Sequence, residues 1–499
     1  MASRELTLAS GTRVAVNAPG FEIEAAAPVM AAAAAPVAEI PGDWLEAMAM
    51  NGVLPEHVEP LPMQIRAVPE AAPAAMLTRR GSPGPHVEIA AEPQEDFTAL
   101  LMVQRGEVVQ WFVPVNAPRV VPRHAGMRAA VVGVERQPLR FLVPASLLQP
   151  PTPPPGNVAA AAFFGRVVSK IVRIPLIRDL VDAPIRFLVE HIAKFVEGRN
   201  KDEGFKFFDD AGAFPPVSRQ QLIDMADKPV LFLTHGVFSS IGGAFNDLLG
   251  TPALAALRGR YENRIIGWDH FTISKTPLEN ADDMLSAMAP AMNVDFVCHS
   301  RGALVMRAAL EHDKLREKRR TRFRESGVGN ALFVAGANQG SQLASFEHVN
   351  TLLNVYAAIG HVFPGLALDV IFAVLRILAH GVSTLPSVEA LSSDASNTFV
   401  RDLNQQPRMS VRGKLAIAHA NYDPRQGVLR ELANLNIDTI FGTANDLVVP
   451  FAGAAQFDPN VIADEERAFG SARASQPDVF HTNFFAQPDI QGLIGKTLL

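Results

Sequence analysis

The sequence predicts two architectures in one chain: a doubly wound, mostly parallel α/β sheet in the carboxyl-terminal part and a β-rich module ahead of it. Three observations carry this. From about Phe214 onward, short apolar segments alternate with helix-forming sequence, the rhythm of a parallel sheet covered by helices on both faces. Before Gln149, runs rich in Val, Phe, Leu and Trp are punctuated by Gly and Pro rather than by helix caps, the pattern of short strands. The two parts are separated by the proline-rich stretch Gln149–Gly156, whose rings fix φ, remove amide donors and favour an extended spacer.

In chain order, strands are expected within Arg4–Val16, His86–Ala91, Glu107–Pro114 and Met127–Pro144 of a first domain spanning 1–149. Its Ala/Pro-rich interval Ala25–Pro85 leaves room for one short helix at Gly42–Met50. A linker at 150–156 follows. Residues 157–200 then alternate apolar Phe164, Val167, Val168, Ile171, Phe187 and Phe195 with Arg166, Lys170, Arg173, Arg186 and Lys194, which predicts an amphipathic helical connector. The α/β domain takes 201–499. Its strands are expected at Pro229–Thr234, Arg264–Trp268, Val294–Cys298, Ala331–Ala335, Leu415–Ala418 and Asp438–Gly442. A cap insertion at about 343–400 carries two apolar helices, near Val349–Ile359 and Leu366–Leu378.

Composition narrows the function classes. A chain of 499 residues with a net charge of −6 at pH 7 lacks the basic excess that polyanion binding requires, so nucleic acid is not an expected partner. One cysteine makes neither an intrachain disulfide nor a thiolate cage, and it fits a reducing compartment. No basic stretch running into an apolar one opens the sequence. The most apolar window, Val362–His380, contains Pro364, Asp369 and Arg376. Neither a secretory signal nor a transmembrane span is expected, which makes a cytoplasmic location the expectation. No His-Glu-x-x-His, paired cysteines or phosphate-cradling glycine loop occurs, so no metal and no cofactor are expected.

The chemistry concentrates at Val294–Gly302, read as strand, tight turn and helix. A serine at such a turn presents its hydroxyl at the carboxyl end of the sheet, which makes Ser300 the candidate nucleophile. Gly302 supplies the small residue the turn needs on one side, and Cys298 stands where glycine is usual on the other. Upstream, the apolar strand Pro229–Thr234 ends in His235-Gly236. Its following amides, Val237 or Phe238, would join that of Arg301 around a developing oxyanion, and His235 itself is read as structural. Later in the chain, His481 is a candidate for an imidazole that takes the serine proton and Asp446 for a carboxylate that fixes its tautomer, with Asp423 a rival acid.

Together, Leu233–Gly236, Cys298–Gly302, Thr443–Pro450 and His481–Phe484 resemble the α/β-hydrolase superfamily in its lipase/esterase branch, over about residues 214–499. The resemblance implies a serine esterase or lipase with Ser300, Asp446 and His481 as catalytic residues. It would act on an acyl ester or lipid through an acyl-enzyme. It also implies that the inserted helices form a lid or a fixed cap. Trp268, Leu366 and Ile371 are candidates to line the substrate pocket, with core packing the alternative for Trp268. His299 and Ser341 are read as packing and turn residues. The basic run Asp313–Arg324 reads as a solvated helix end, with a peripheral membrane contact the minority reading. Two alternatives stay open: an amide or thioester hydrolase using the same residues, and a recognition module whose first domain binds a protein partner.

Overall fold

The computed structural model describes residues 4–8, 10–17, 21–25, 40–67, 86–105, 108–117, 137–148, 167–175, 197, 202–209, 211–325, 327–345, 347–362, 368–380, 385–405, 411–422, 432, 437–456, 463–470 and 479–499. The expected linker at 150–156, Leu366 and the rival acid Asp423 lie outside them. The chain divides into two compact units. One comprises Met1–Ile192, Tyr356–His361 and Leu368–Ser383; the other comprises Ala193–Val355, Val362–Ala367 and Thr384–Leu499.

The first unit holds strands β1 (Glu5–Thr7), β2 (Arg13–Asn17), β3 (Phe21–Ala25), β4 (Val58–Leu61), β5 (Met63–Ala67), β6 (His86–Ala91), β7 (Phe97–Arg105), β8 (Val108–Phe112), β9 (Leu139–Pro144) and β10 (Val167–Pro175). They form the sheets β1-β2-β6-β9 and β4-β10-β7-β8 and the pair β3-β5, with antiparallel neighbours throughout. Alternation does the sorting. Val14 and Val16, Val87 and Ile89, and Phe141 and Val143 face one core while the residues between them face out. Each such buried side chain contributes roughly 1.5–3 kcal/mol.

Two expectations change here. The segment 167–175 is a strand, not part of a helical connector. Val167, Val168, Ile171, Val172 and Ile174 are β-branched, and the run sits between β4 and β7. Arg173, which looked like the polar face of a helix, is buried instead, with Nη1 donating to the Glu92 carbonyl at 2.7 Å and Nη2 paired with Glu59 at 3.2 Å. Likewise the apolar helix Leu368–Ala379, expected in a cap of the second domain, belongs to the first unit. Its Phe372 packs edge-on against Trp111, which meets Trp44 of the helix Gly42–Met50, and Thr98 Oγ1 donates to the Ala379 carbonyl at 2.8 Å. The greasiness that suggested a lid is the inner face of this β-rich core.

The second unit is one seven-stranded sheet: β11 (Gly204–Phe207), β12 (Pro229–Thr234), β13 (Ile265–Asp269), β14 (Asn293–His299), β15 (Ala331–Val334), β16 (Leu415–Ala420) and β17 (Glu465–Phe469), in the order β11-β13-β12-β14-β15-β16-β17. Only β11 runs antiparallel to its neighbour. Both faces are covered, as the continuous apolar strands require. Val230, Phe232, Val294 and Phe296 enter one core with Met284, Leu285 and Val305, while Leu231, Leu233 and Val297 enter another with Leu254, Leu257 and Leu493. The expected strand near Asp438–Gly442 is a short helix, Ile437–Phe441. An apolar run of five residues fits either element, and here the last strand, β17, lies further on. Strand order reverses at β12, which lies between β13 and β14. The crevice outside the carboxyl ends of β12 and β14 is therefore the topological switch point of the sheet.

Candidate active site

Ser300 follows β14 at that crevice with φ of +56°, in the left-handed region that a non-glycine residue occupies only under strain. The surrounding chain enforces it: the Ser300 amide donates to the Val334 carbonyl at 3.0 Å and its own carbonyl accepts from Ala303 at 3.0 Å, opening the helix Gly302–Glu311. Gly302 is obligatory, because a Cβ there would lie 2.7 Å from the Thr234 carbonyl carbon of β12. Gly236 is equally constrained, since its Cβ would approach Ser300 Cβ to 2.7 Å. These two close approaches bring the His-Gly turn after β12 against the serine turn after β14.

The other two predicted residues meet Ser300 there. His481 Nε2 lies 2.7 Å from Ser300 Oγ and His481 Nδ1 lies 2.9 Å from Asp446 Oδ2, with all three residues at most 1% exposed. Since Asp446 accepts, Nδ1 carries the ring proton and Nε2 is left to accept from the serine hydroxyl. Asp446 Oδ1 accepts from the amides of Val448 at 3.0 Å and Val449 at 2.7 Å, which fixes the carboxylate plane. The sharp turn this needs puts Leu447 at φ +84°, and Ser341, a turn residue as read, donates its hydroxyl to the Val448 carbonyl. His481 is held by its own amide to the Asp446 carbonyl at 3.0 Å and by flanking Val479, Phe484 and Phe485 in the core.

His299 packs behind the imidazole. Its Nε2 donates to the His481 carbonyl at 2.7 Å, and burial, together with the neighbouring His481, pulls its pKa down to about 3, so the ring is neutral. His235 is also structural: Nδ1 donates to the Gly236 carbonyl at 2.8 Å and Nε2 accepts from the His270 amide at 3.2 Å. Burial pushes the Cys298 thiol well above its usual range, which keeps this sole cysteine protonated.

Of the two expected candidates for the upstream oxyanion donor, the structure separates one from the other. The Phe238 amide is engaged by Thr272 Oγ1 at 3.1 Å, so Phe238 is not a free donor. The amides of Val237 and Arg301 have no hydrogen-bond partner among the described residues. The Arg301 side chain points away into the core, with Nη2 donating to the Lys275 carbonyl at 2.6 Å and Asn280 Oδ1 at 2.9 Å. Burial lowers its pKa to about 10, which leaves it cationic at neutral pH.

The pocket residues named from sequence fare differently. Trp268 is 4% exposed and packs on Phe205, with ring centroids 4.9 Å apart, in the core beneath the sheet rather than in a crevice. Ile371 is buried on the helix of the first unit. Glu197 and Thr272, which sequence reasoning passed over, tie into the Phe238 loop; a lone Glu and a lone Thr carry no motif that could have flagged them. The basic run forms a separate short helix, Arg316–Arg322, rather than the end of the helix after Ser300, with Arg316 paired to Asp313 and Lys318 to Asp282 at the surface. Among the described residues no group of three or more His, Cys, Asp or Glu is placed to hold a metal, and no helix is long and apolar enough to cross a membrane.

A doubly wound sheet with a strained serine turn at its switch point and a Ser-His-Asp hydrogen-bond chain is the arrangement on which α/β-hydrolases build their sites. The chain belongs to the family described as Domain of unknown function (DUF7379), whose model matches residues 200–499. No curated protein matches the chain. Solved structures that resemble it include a lipase of Bacillus licheniformis, BlEst2, at 15% identity over 54% of this chain and 92% of that one, with a TM-score of 0.32. Lipase 1 of Pelosinus fermentans is 12% identical over 55% of this chain and 98% of that one, with a TM-score of 0.36. The metagenomic carboxyl esterase MGS0156 is 17% identical over 62% and 85%, with a TM-score of 0.30.

Proposed function

We propose that this chain is a serine hydrolase that cleaves carboxylic esters through an acyl-enzyme on Ser300. The observation that carries the reading is His481 Nε2 at 2.7 Å from Ser300 Oγ with Nδ1 on the Asp446 carboxylate. Ser300 Oγ attacks the ester carbonyl carbon as its proton passes to His481 Nε2, and Asp446 stabilises the imidazolium. The tetrahedral oxyanion accepts from the amides of Arg301 and Val237, the two donors left open at this edge. Collapse breaks the bond to the alcohol oxygen, which takes the proton from His481. A water activated by the same ring then attacks the acyl-enzyme, the serine leaves, and acid is released.

The test combines a fluorophosphonate probe with a series of p-nitrophenyl acyl esters. Wild type is expected to take the probe on Ser300 and to turn over ester. Ser300→Ala is expected to do neither, with turnover reduced by about 10⁴-fold or more and an unchanged melting temperature. Folded wild type that takes no probe, or ester turnover retained in S300A, overturns the reading.

A further inference from the structure

Phe238 is an L residue at φ +53°, and its side chain is 1% exposed. Such a conformation costs on the order of 1–3 kcal/mol and persists only where neighbours over-determine it. Its amide donates to Thr272 Oγ1 at 3.1 Å. Thr272 has one hydroxyl proton, and that oxygen lies 3.2 Å from Glu197 Oε1. A carboxylate only accepts, so the proton goes to Glu197 and the hydroxyl lone pair faces the Phe238 amide. Glu197 is itself fixed. Oε1 also accepts from the amides of Thr272 and Ile273, the latter at 2.9 Å, and Oε2 accepts from the Ser274 amide at 3.1 Å and hydroxyl at 2.7 Å. Ser387 holds the same segment from its other side by donating to the Thr272 carbonyl. Three residues beyond Phe238, the Ile241 amide donates to Asp269 Oδ1 at 2.8 Å. The loop that carries the Val237 amide is thus tied at two points, to the last residue of β13 and to the segment that follows it.

We infer that Glu197 and Thr272 are positioning residues for the oxyanion hole: the Glu197 carboxylate orients the Thr272 hydroxyl, which holds the strained Phe238 peptide and so aims the preceding Val237 amide at the developing oxyanion. This rests on the ester-hydrolase reading above. Without the hydroxyl, Phe238 relaxes toward negative φ and the peptide next to it turns. A displacement of about 1 Å at a catalytic donor costs on the order of 10²-fold in rate. Ground-state binding of the ester does not use that donor, so the loss falls on kcat.

The full chain is assayed with a p-nitrophenyl ester. Thr272→Val, which keeps the shape and removes the hydroxyl, is expected to lower kcat by about 100-fold while KM stays within about twofold and the midpoint of the pH–rate profile does not move. Thr272→Ser is expected to restore kcat to within about threefold of wild type. Wild-type kcat in T272V, or equal losses in T272V and T272S, overturns the inference. Should T272V not fold, Glu197→Asp carries the same test through a carboxylate one methylene too short. A fall in kcat of about tenfold or more at constant KM supports the relay, and wild-type kcat overturns it. Wild type that neither takes the fluorophosphonate nor turns over ester sinks the hydrolase reading and this inference with it. An active wild type beside an unimpaired T272V sinks this inference alone.

Discussion

The two edges of the seven-stranded sheet each bury an aspartate, and the contrast between them separates a hydrogen-bond network that closes on itself from one that ends at a hydroxyl. At the amino edge, Asp295 of β14 accepts from Tyr261 Oη at 2.6 Å and from the Asn330 amide at 2.5 Å, joining the helix Pro252–Tyr261, β14 and the entry to β15. Burial and the adjacent carboxylate push the tyrosine pKa up, so it stays a proton donor. At the carboxyl edge, Asp446 accepts from two amides and from His481, but the chain continues to a serine hydroxyl beside two unengaged amides. Backbone strain divides the same way. Among the described non-glycine residues with positive φ, Glu262, Asn263 and Ala291 at the amino edge are exposed and Phe214 after β11 is half-buried, whereas Phe238, Ser300, Ala335 and Leu447 at the carboxyl edge are buried. Exposed turns relax at little cost. Buried ones are held in place, and here they include Ser300 itself and Leu447, the residue after Asp446.

The largest effect expected from breaking this contrast comes from Asp446→Asn. The Val448 and Val449 amides keep an oxygen at the Oδ1 position, so the new amide nitrogen must face His481 Nδ1. The ring proton then moves to Nε2, which can no longer accept from Ser300, and kcat is expected to fall by about 10⁴-fold, or about 5.5 kcal/mol in the barrier. Steady-state ester hydrolysis checks it, with circular dichroism to establish the fold. Activity within about tenfold of wild type would mean that Asp446 does not set the tautomer.

Tyr261→Phe makes the matching change at the other edge and should separate the two networks. It strands one oxygen of a buried carboxylate, so urea denaturation is expected to report a loss of about 1–3 kcal/mol. Turnover is expected to stay within about twofold, because nothing in that network reaches the crevice. A kcat loss as large as the D446N one would show that the edges are coupled.

How far this was legible from sequence follows from how local each feature is. The serine turn was readable because Cys298–Gly302 encodes strand, elbow and helix within a few residues, and only Gly302 fits under the Thr234 carbonyl. The meeting of Asp446 and His481 with Ser300 was readable as chain order, not as distance. The strand β17 was not: Glu465, Glu466 and Arg467 give a strand that pairs with β16 alone among the described residues no apolar signature. Nor was β10, where Lys170 and Arg173, three residues apart, imitate a helix face until Glu59 and the Glu92 carbonyl are seen to take Arg173. The Glu197–Thr272–Phe238 relay joins residues far apart in sequence by hydrogen bonds that no periodicity records.

A smaller effect should appear in acid and tests whether the carboxyl edge is also the more pH-sensitive one. His299 titrates near 6.5 when exposed in the unfolded chain, but burial and the neighbouring His481 hold its folded pKa down to about 3. Between these values the unfolded chain binds one more proton than the folded one. This group therefore takes nothing from stability above about pH 6.5 and takes up to about 1.4 kcal/mol per pH unit as the pH falls toward 3. His299→Gln keeps an N–H to donate to the His481 carbonyl and removes the titration. Urea midpoints measured from about pH 7 to about pH 5 should fall less steeply in H299Q than in wild type, by the slope of one proton. Tyr261→Phe, whose network holds no imidazole, should keep the wild-type slope. Parallel curves for H299Q and wild type would mean that His299 takes up its proton in the folded state as readily as in the unfolded one, and that the ring is reached by water when the His481 turn opens.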